Sequence, residues 1–227
     1  MATFIAAAAM LAVLINGFSL PQQFEIPFAV LSILVIAVFS IAGLFERSII
    51  KYVYYSAVIQ FGYFALDVGT ALLIDKSIWF AILQLINFVV AGFLFAIVIA
   101  ILHNSVRKED VPEYAGIYER NQFLVLGLSV AALSLGGMPG FNIFVGEFII
   151  YSSLFTIHPA LTLAAVFASL VAFIFYFRIC YVMFAGTAGK AIGLGLVSKA
   201  AIALLSLAVV VLGVVPHILL TVLGWFA

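Results

Sequence analysis

Residues Gln122–Phe155, QFLVLGLSVAALSLGGMPGFNIFVGEFIIYSSLF, form an apolar window of more than 30 residues with the helix breakers Gly136-Gly137-Met138-Pro139-Gly140 at its middle. At ~1.5 Å rise per residue this is too long for one straight helix across a hydrocarbon core about 30 Å thick. Cut at the breakers, it leaves two halves of about 15 residues, each short for a span of its own. The window is therefore two spans or one span broken at 136–140, and the rest of the chain arbitrates.

Six further apolar windows surround it, at about 2–19, 28–45, 52–73, 78–102, 160–184 and 200–226. Of the 227 residues 67% are apolar and 8% charged, whereas soluble domains carry roughly half apolar and a quarter charged residues. The charges lie between the windows, so the expected fold is all-α, a polytopic bundle of about seven spans forming one membrane domain over 1–227. With 122–155 as one broken span, Arg47, Lys51, Arg107, Lys108, Arg120, Lys190 and Lys199 fall on one side of the membrane and only Lys76 on the other. The positive-inside rule favours that arrangement, with the N-terminus cytoplasmic and the C-terminus outside. The segment Ala2–Leu20 lacks the positive n-region of a secretory signal and is expected to be a retained span.

Nine Lys+Arg balance nine Asp+Glu, which leaves no basic face for nucleic acid, and the short loops leave no room for an extramembrane catalytic domain. Cys180 is the single cysteine, and no Cys/His cluster has metal or haem spacing, so no cofactor is expected in this chain. His103, His158 and His217 sit at expected span ends. Asp75 and Lys76 read as loop solvation, and Arg178 as a snorkelling side chain near a span end.

Polar residues inside the spans carry the functional signal. A break at Gly137, Pro139 and Gly140 frees backbone groups that lipid cannot satisfy, so protein or water must cover it. Broken helices of this kind mark ion pathways in transporters, and a packing kink at proline would leave the same trace. Glu147 follows seven residues later, near mid-membrane, where an ionised carboxylate costs about 3 kcal/mol or more unless paired, hydrated or protonated. In the third window Ser56, Gln60, Tyr63 and Asp67 recur at spacings of four, three and four, along one helix face. Gln84 and Asn87 share a face of the fourth, as conduction residues or as interhelical glue worth ~0.6 kcal/mol each. Arg47 and Lys51, beside Glu46, form a cytoplasmic-edge cluster that sets topology or admits ions.

The run Ser134-Leu-Gly-Gly-Met-Pro139-Gly140-Phe-Asn-Ile-Phe-Val-Gly146-Glu147-Phe-Ile-Ile resembles the signature of the antiporter-like proton-channel subunits of respiratory complex I, most closely the M-type or mitochondrial chain 4-like subunit. That family has small residues, Pro-Gly and then Phe-x-Gly-Glu in its twelfth, discontinuous helix. Lys51-Tyr-Val-Tyr-Tyr-Ser56-Ala-Val-Ile-Gln60-Phe-Gly62-Tyr63 is similar to the family's Lys-Arg-x-x-Ala-Tyr-Ser-Ser-x-x-x-x-Gly-Tyr stretch. Tyr114-Ala-Gly-Ile, Phe177-Arg178-Ile-Cys-Tyr-Val-Met-Phe-Ala-Gly186 and Gly213-Val-Val-Pro216 follow in order. The resemblance runs from about Phe28 onward and implies helices eight or nine to fourteen, the second of two inverted repeats. Asn87 and Ala91 stand where the family often has His or His-x-x-x-Lys, and Lys51 takes the Arg position of its Asp-x-Lys-Arg motif.

The resemblance implies a membrane-arm subunit of a complex I-like energy-converting oxidoreductase, a related membrane-bound hydrogenase or an Mrp-type cation/proton antiporter, in an energy-coupling membrane such as the prokaryotic cell membrane. Glu147 would be its protonation site, with Lys51, Ser56, Gln60, Tyr63, Asp67 and Asn87 beside the proton or sodium path. Its partners would be other membrane subunits and the lipid bilayer. A non-conducting spacer of such a complex is the alternative, and a stand-alone transporter a third reading, because one inverted repeat offers no complete site between repeats.

Overall fold

The computed structural model describes residues 25–73, 79–186 and 191–216. The expected span at 2–19, the loop residues Asp75 and Lys76, Lys190, and everything from His217 onward lie outside them. The described elements are α1 (Glu25–Phe45), α2 (Ile49–Leu73), α3 (Trp79–Val106), a 3₁₀ turn (Val111–Tyr114), α4 (Ile117–Arg120), α5 (Gln122–Leu135), α6 (Asn142–Phe155), α7 (Pro159–Phe184) and α8 (Leu196–Val214). No strand occurs among the described residues; one isolated bridge joins Ser48 and Asp110. The architecture is an all-α, polytopic membrane bundle.

Helices α1, α2, α3, α7 and α8 are each long and apolar enough to cross a bilayer. The 14-residue α5 and α6 are not, taken singly. Helix ends do not follow the edges of the apolar windows. Helix α3 continues through His103 to Val106, and α8 starts at Leu196. Helical hydrogen bonding continues past the apolar stretch until a cap or breaker ends it. Helix α5 starts where Asn121 Oδ1 accepts the Leu124 N–H at 3.0 Å. Pro159 opens α7, where its missing N–H costs nothing.

Helix α2 lies innermost, between α1 and α3, while α7 packs on α1, α5 and α6. Gly62 admits α1 at Ile36, an approach that a Cβ would block. Large apolar side chains such as Phe45, Phe61, Phe93, Phe148, Phe167 and Tyr181 point outward, as expected where lipid is the solvent.

Three connections meet at one end of the bundle. The Ile49 N–H donates to Glu109 O at 2.8 Å and the Val111 N–H to Arg47 O at 2.7 Å, tying the α1–α2 turn to the stretch after α3. Arg178 of α7 donates to Glu46 O at 2.9 Å and to Tyr52 Oη at 2.5 Å. The Ile192 N–H donates to Arg120 O at 3.1 Å, and Asn121 Nδ2 to Ile192 O at 2.8 Å. Arg47, Lys51, Arg107, Lys108 and Arg120 thus gather on one side. Glu46 accepts the Ser48 and Arg47 N–H groups at 2.9 Å each, and the Ser48 N–H does most to hold its carboxyl below the usual range.

Candidate functional site

The chain leaves helix at Gly136 and re-enters it at Asn142. The Met138 N–H reaches Leu133 O at 3.0 Å and the Gly137 N–H reaches Ser134 O at 2.9 Å, the paired bonds of a Schellman cap, with Gly137 left-handed at φ 72°. Gly140 is left-handed as well, at φ 94°. Both positions suit a residue without Cβ. Gly213 of α8 packs directly on the backbone of Gly140 and Phe141, so α8 covers part of the break.

Side chains satisfy the polar groups that the break exposes. Asn87 Nδ2 donates to Asn142 O and Asn142 Nδ2 donates to Asn87 O, each at 2.9 Å. Ser134 Oγ donates to Asn142 Oδ1 at 2.6 Å, joining the two half-helices. Gln60 Nε2 donates to Leu135 O at 2.9 Å. All four side chains are buried. Asn87 and Gln60 therefore hold the break closed in this arrangement, as buried polar backbone in a membrane requires.

Glu147 is 3% exposed and its carboxyl group lies against Gly137. Its Oε2 accepts from Ser169 Oγ of α7 at 3.2 Å and from Tyr151 Oη, one turn on, at 3.4 Å; Oε1 has no partner within the protein. Neither the Lys51–Glu46 nor the Lys108–Glu113 ion pair involves it. A carboxyl group held by hydroxyls alone, away from cations, can be neutral or ionised according to its hydration and neighbours.

Along α2 a buried column faces this group. Ser56 Oγ lies 2.9 Å from Tyr176 Oη, and Gln60 Nε2 lies 3.4 Å from the same hydroxyl. Tyr63 and Asp67 follow, both buried and within electrostatic range of Glu147. Tyr63 Oη and both Asp67 carboxyl oxygens have no partner within the protein. Lys51 is not in the column: its side chain is 62% exposed and pairs with Glu46 at 3.5 Å. Gln84 is buried with its amide against Gly146, next to Glu147.

Sequence reasoning missed Tyr151, Ser169, Tyr176, Ser134 and Asn142. Tyr151 stands four residues after Glu147, and Ser169 and Tyr176 stand seven apart on α7, so helical spacing from the known polar groups would have found them. Ser134 and Asn142 bracket the break and only its geometry brings them together.

The fold is that of an antiporter-like membrane subunit. Residues 1–172 match the family described as NADH:quinone oxidoreductase/Mrp antiporter, transmembrane, and the chain belongs to that family. It is 27% identical over 209 residues to NADH-quinone oxidoreductase subunit N of Bacillus anthracis, covering 88% of this chain and 40% of that protein. It is 27% identical to subunit N 2 of Roseiflexus castenholzii, covering 92% and 44%. Both of these relatives are N-type subunits, whereas the sequence resemblance points to the M-type. Among solved structures, the Mrp complex from Dietzia sp. DQ12-45-1b superposes with a TM-score of 0.80 at 15% identity, covering 89% of this chain and 46% of that one. Respiratory complex I from Thermus thermophilus with bound aureothin gives 0.71 at 22% identity, covering 89% and 46%. The chain thus spans less than half the length of these relatives.

Proposed function

We propose that this chain forms part of a proton or sodium path in the membrane arm of a complex I-like oxidoreductase or an Mrp-type antiporter, with Glu147 as the group that binds and releases the proton. The carrying observation is the position of Glu147: buried on Gly137 at a helix break, held by hydroxyls, with no cation beside it. Desolvation favours the neutral acid, and a positive charge or water brought within ~4–6 Å favours the carboxylate, so changes in neighbouring subunits can drive its proton on and off. The polar side chains Ser56, Gln60, Tyr63 and Asp67 supply the route beside it, and Asn87 secures the break.

The working topology is seven spans at 2–19, 28–45, 52–73, 78–102, 122–155, 160–184 and 200–226, with a cytoplasmic N-terminus and an external C-terminus. The gathering of Arg47, Lys51, Arg107, Lys108 and Arg120 at one end supports it. The chain packs laterally against other multi-spanning subunits, a reading supported by the multi-subunit complexes among the structures it resembles and by buried polar groups that lipid could not cover.

A spacer role is the second reading. It is favoured by the Asn87 and Gln60 amides, which are committed to the backbone of the break, and by the placement of Lys51 outside the column. The two readings separate on Glu147→Gln in the assembled complex. Loss of ion-gradient formation with assembly intact supports conduction, and an unchanged gradient supports the spacer.

A further inference from the structure

A small pocket opens between α2 and α6, lined by Asp67, Thr70, Ala71, Ile149, Ile150 and Ser153, with room for about one water molecule. Asp67 is 1% exposed and Thr70 3% exposed; both Asp67 carboxyl oxygens and Thr70 Oγ1 have no partner within the protein. Such groups are costly to bury in lipid unless something polar enters with them. The position is directional. The pocket uses the last turns of α2 and α6, toward Leu73 and Phe155, the end opposite the cationic cluster. Glu147 and Tyr151 of α6 are the titratable groups in electrostatic range of Asp67, and Tyr63 lies one turn before it on α2.

We propose that Asp67 is a second proton-binding group, on the branch from Glu147 to the membrane face at the Leu73 and Phe155 ends, and that it exchanges its proton with water held between α2 and α6. This rests on the reading of Glu147 given above. Glu147 gives up its proton through water to the Asp67 carboxylate, leaving Glu147 ionised and Asp67 neutral. Asp67 then loses the proton to water leading outward. Two carboxylates within range of one another and without a cation disfavour simultaneous ionisation, so one proton at a time is shared between them. A bare metal cation is disfavoured as occupant. The lining supplies oxygen side chains from Asp67, Thr70 and Ser153 only, fewer than the six or so oxygens a hard cation takes.

The test uses the assembled complex in native membranes, in a background lacking Cys180. Thr70→Cys should react with Ag⁺, a thiol reagent of about water size, added from the external face and not from the cytoplasmic face, with the parent complex as the control. Asp67→Asn should lower proton translocation about tenfold or more, and Asp67→Glu should retain part of it. Thr70→Cys that is inert from both faces, or reactive from the cytoplasmic face, overturns the proposal. So does a translocation defect in Asp67→Asn confined to sodium with proton movement intact. Asp67→Asn at the parental rate beside a blocked Glu147→Gln removes this proposal alone. Glu147→Gln at the parental rate removes the underlying reading.

Discussion

The carboxyl group of Glu147 occupies the space that a side chain at Gly137 would fill. Gly137 is left-handed at φ 72°, and a Cβ built on it would overlap the Glu147 carboxyl group. One glycine thus meets two demands, the turn that ends α5 and the room for a buried acid from α6.

Gly137→Ala and Gly140→Ala separate these demands. Both place alanine in the left-handed region, at about 1–2 kcal/mol. A Cβ at Gly140 meets nothing within 4 Å. Gly140→Ala should therefore lower thermal stability while each assembled complex transports normally. Gly137→Ala should also cut transport, because the carboxyl group must move. Equal transport by both variants would mean that Glu147 placement does not depend on Gly137.

Asn87→Ala should destabilise the subunit by about 1–3 kcal/mol, since it removes the donor to the buried Asn142 carbonyl while the Asn142 amide keeps the Asn87 backbone carbonyl. The coupling in an Asn87/Asn142 double-mutant cycle should be smaller, nearer 0.6 than 2 kcal/mol, as is usual between membrane helices. Unfolding of the detergent-solubilised complex measures both. No change on Asn87→Ala would show that the two asparagines do not secure the break.

Arg178 fastens α7 to the start of α2 through Glu46 O and Tyr52 Oη, with its guanidinium 5.7 Å from the Tyr52 ring centroid. Arg178→Lys keeps the charge but loses the flat guanidinium near the Tyr52 ring and the fixed aim of its two Nη1 hydrogens, so it should retain little of the stabilisation. A thermal midpoint close to that of Arg178→Ala is expected. One matching the parent would mean that charge alone matters at this position.

Cysteines at Lys108 and Gly193 should label from the cytoplasmic side and one at Ile157 from the other. The connections after α3 and α7 are tied together through Arg120, Asn121 and Ile192, and Ile157 lies beyond α6 at the opposite end. Labelling of the first two positions from opposite faces would reject the topology.

Much of the bundle was legible because a membrane asks for long apolar runs, and Gly136–Gly140 cannot continue a helix. The polar face of α2 was equally readable from the spacing of Ser56, Gln60, Tyr63 and Asp67. Partners were not. That Asn87 binds the carbonyl of Asn142, or that Ser169 reaches Glu147, depends on how α3 and α7 turn about their axes, which apolar windows do not specify. Lys51 shows the converse: the sequence grouped it both with the polar stripe and with Glu46 at the membrane edge, and in the fold it pairs with Glu46.

The most direct measurement compares ions moved per turnover by membrane vesicles bearing the parent complex and Glu147→Gln at equal subunit content. Glutamine keeps the volume against Gly137 and cannot titrate. The predicted result is normal assembly with translocation through this subunit lost; normal assembly with an unchanged ion-to-turnover ratio would contradict the account.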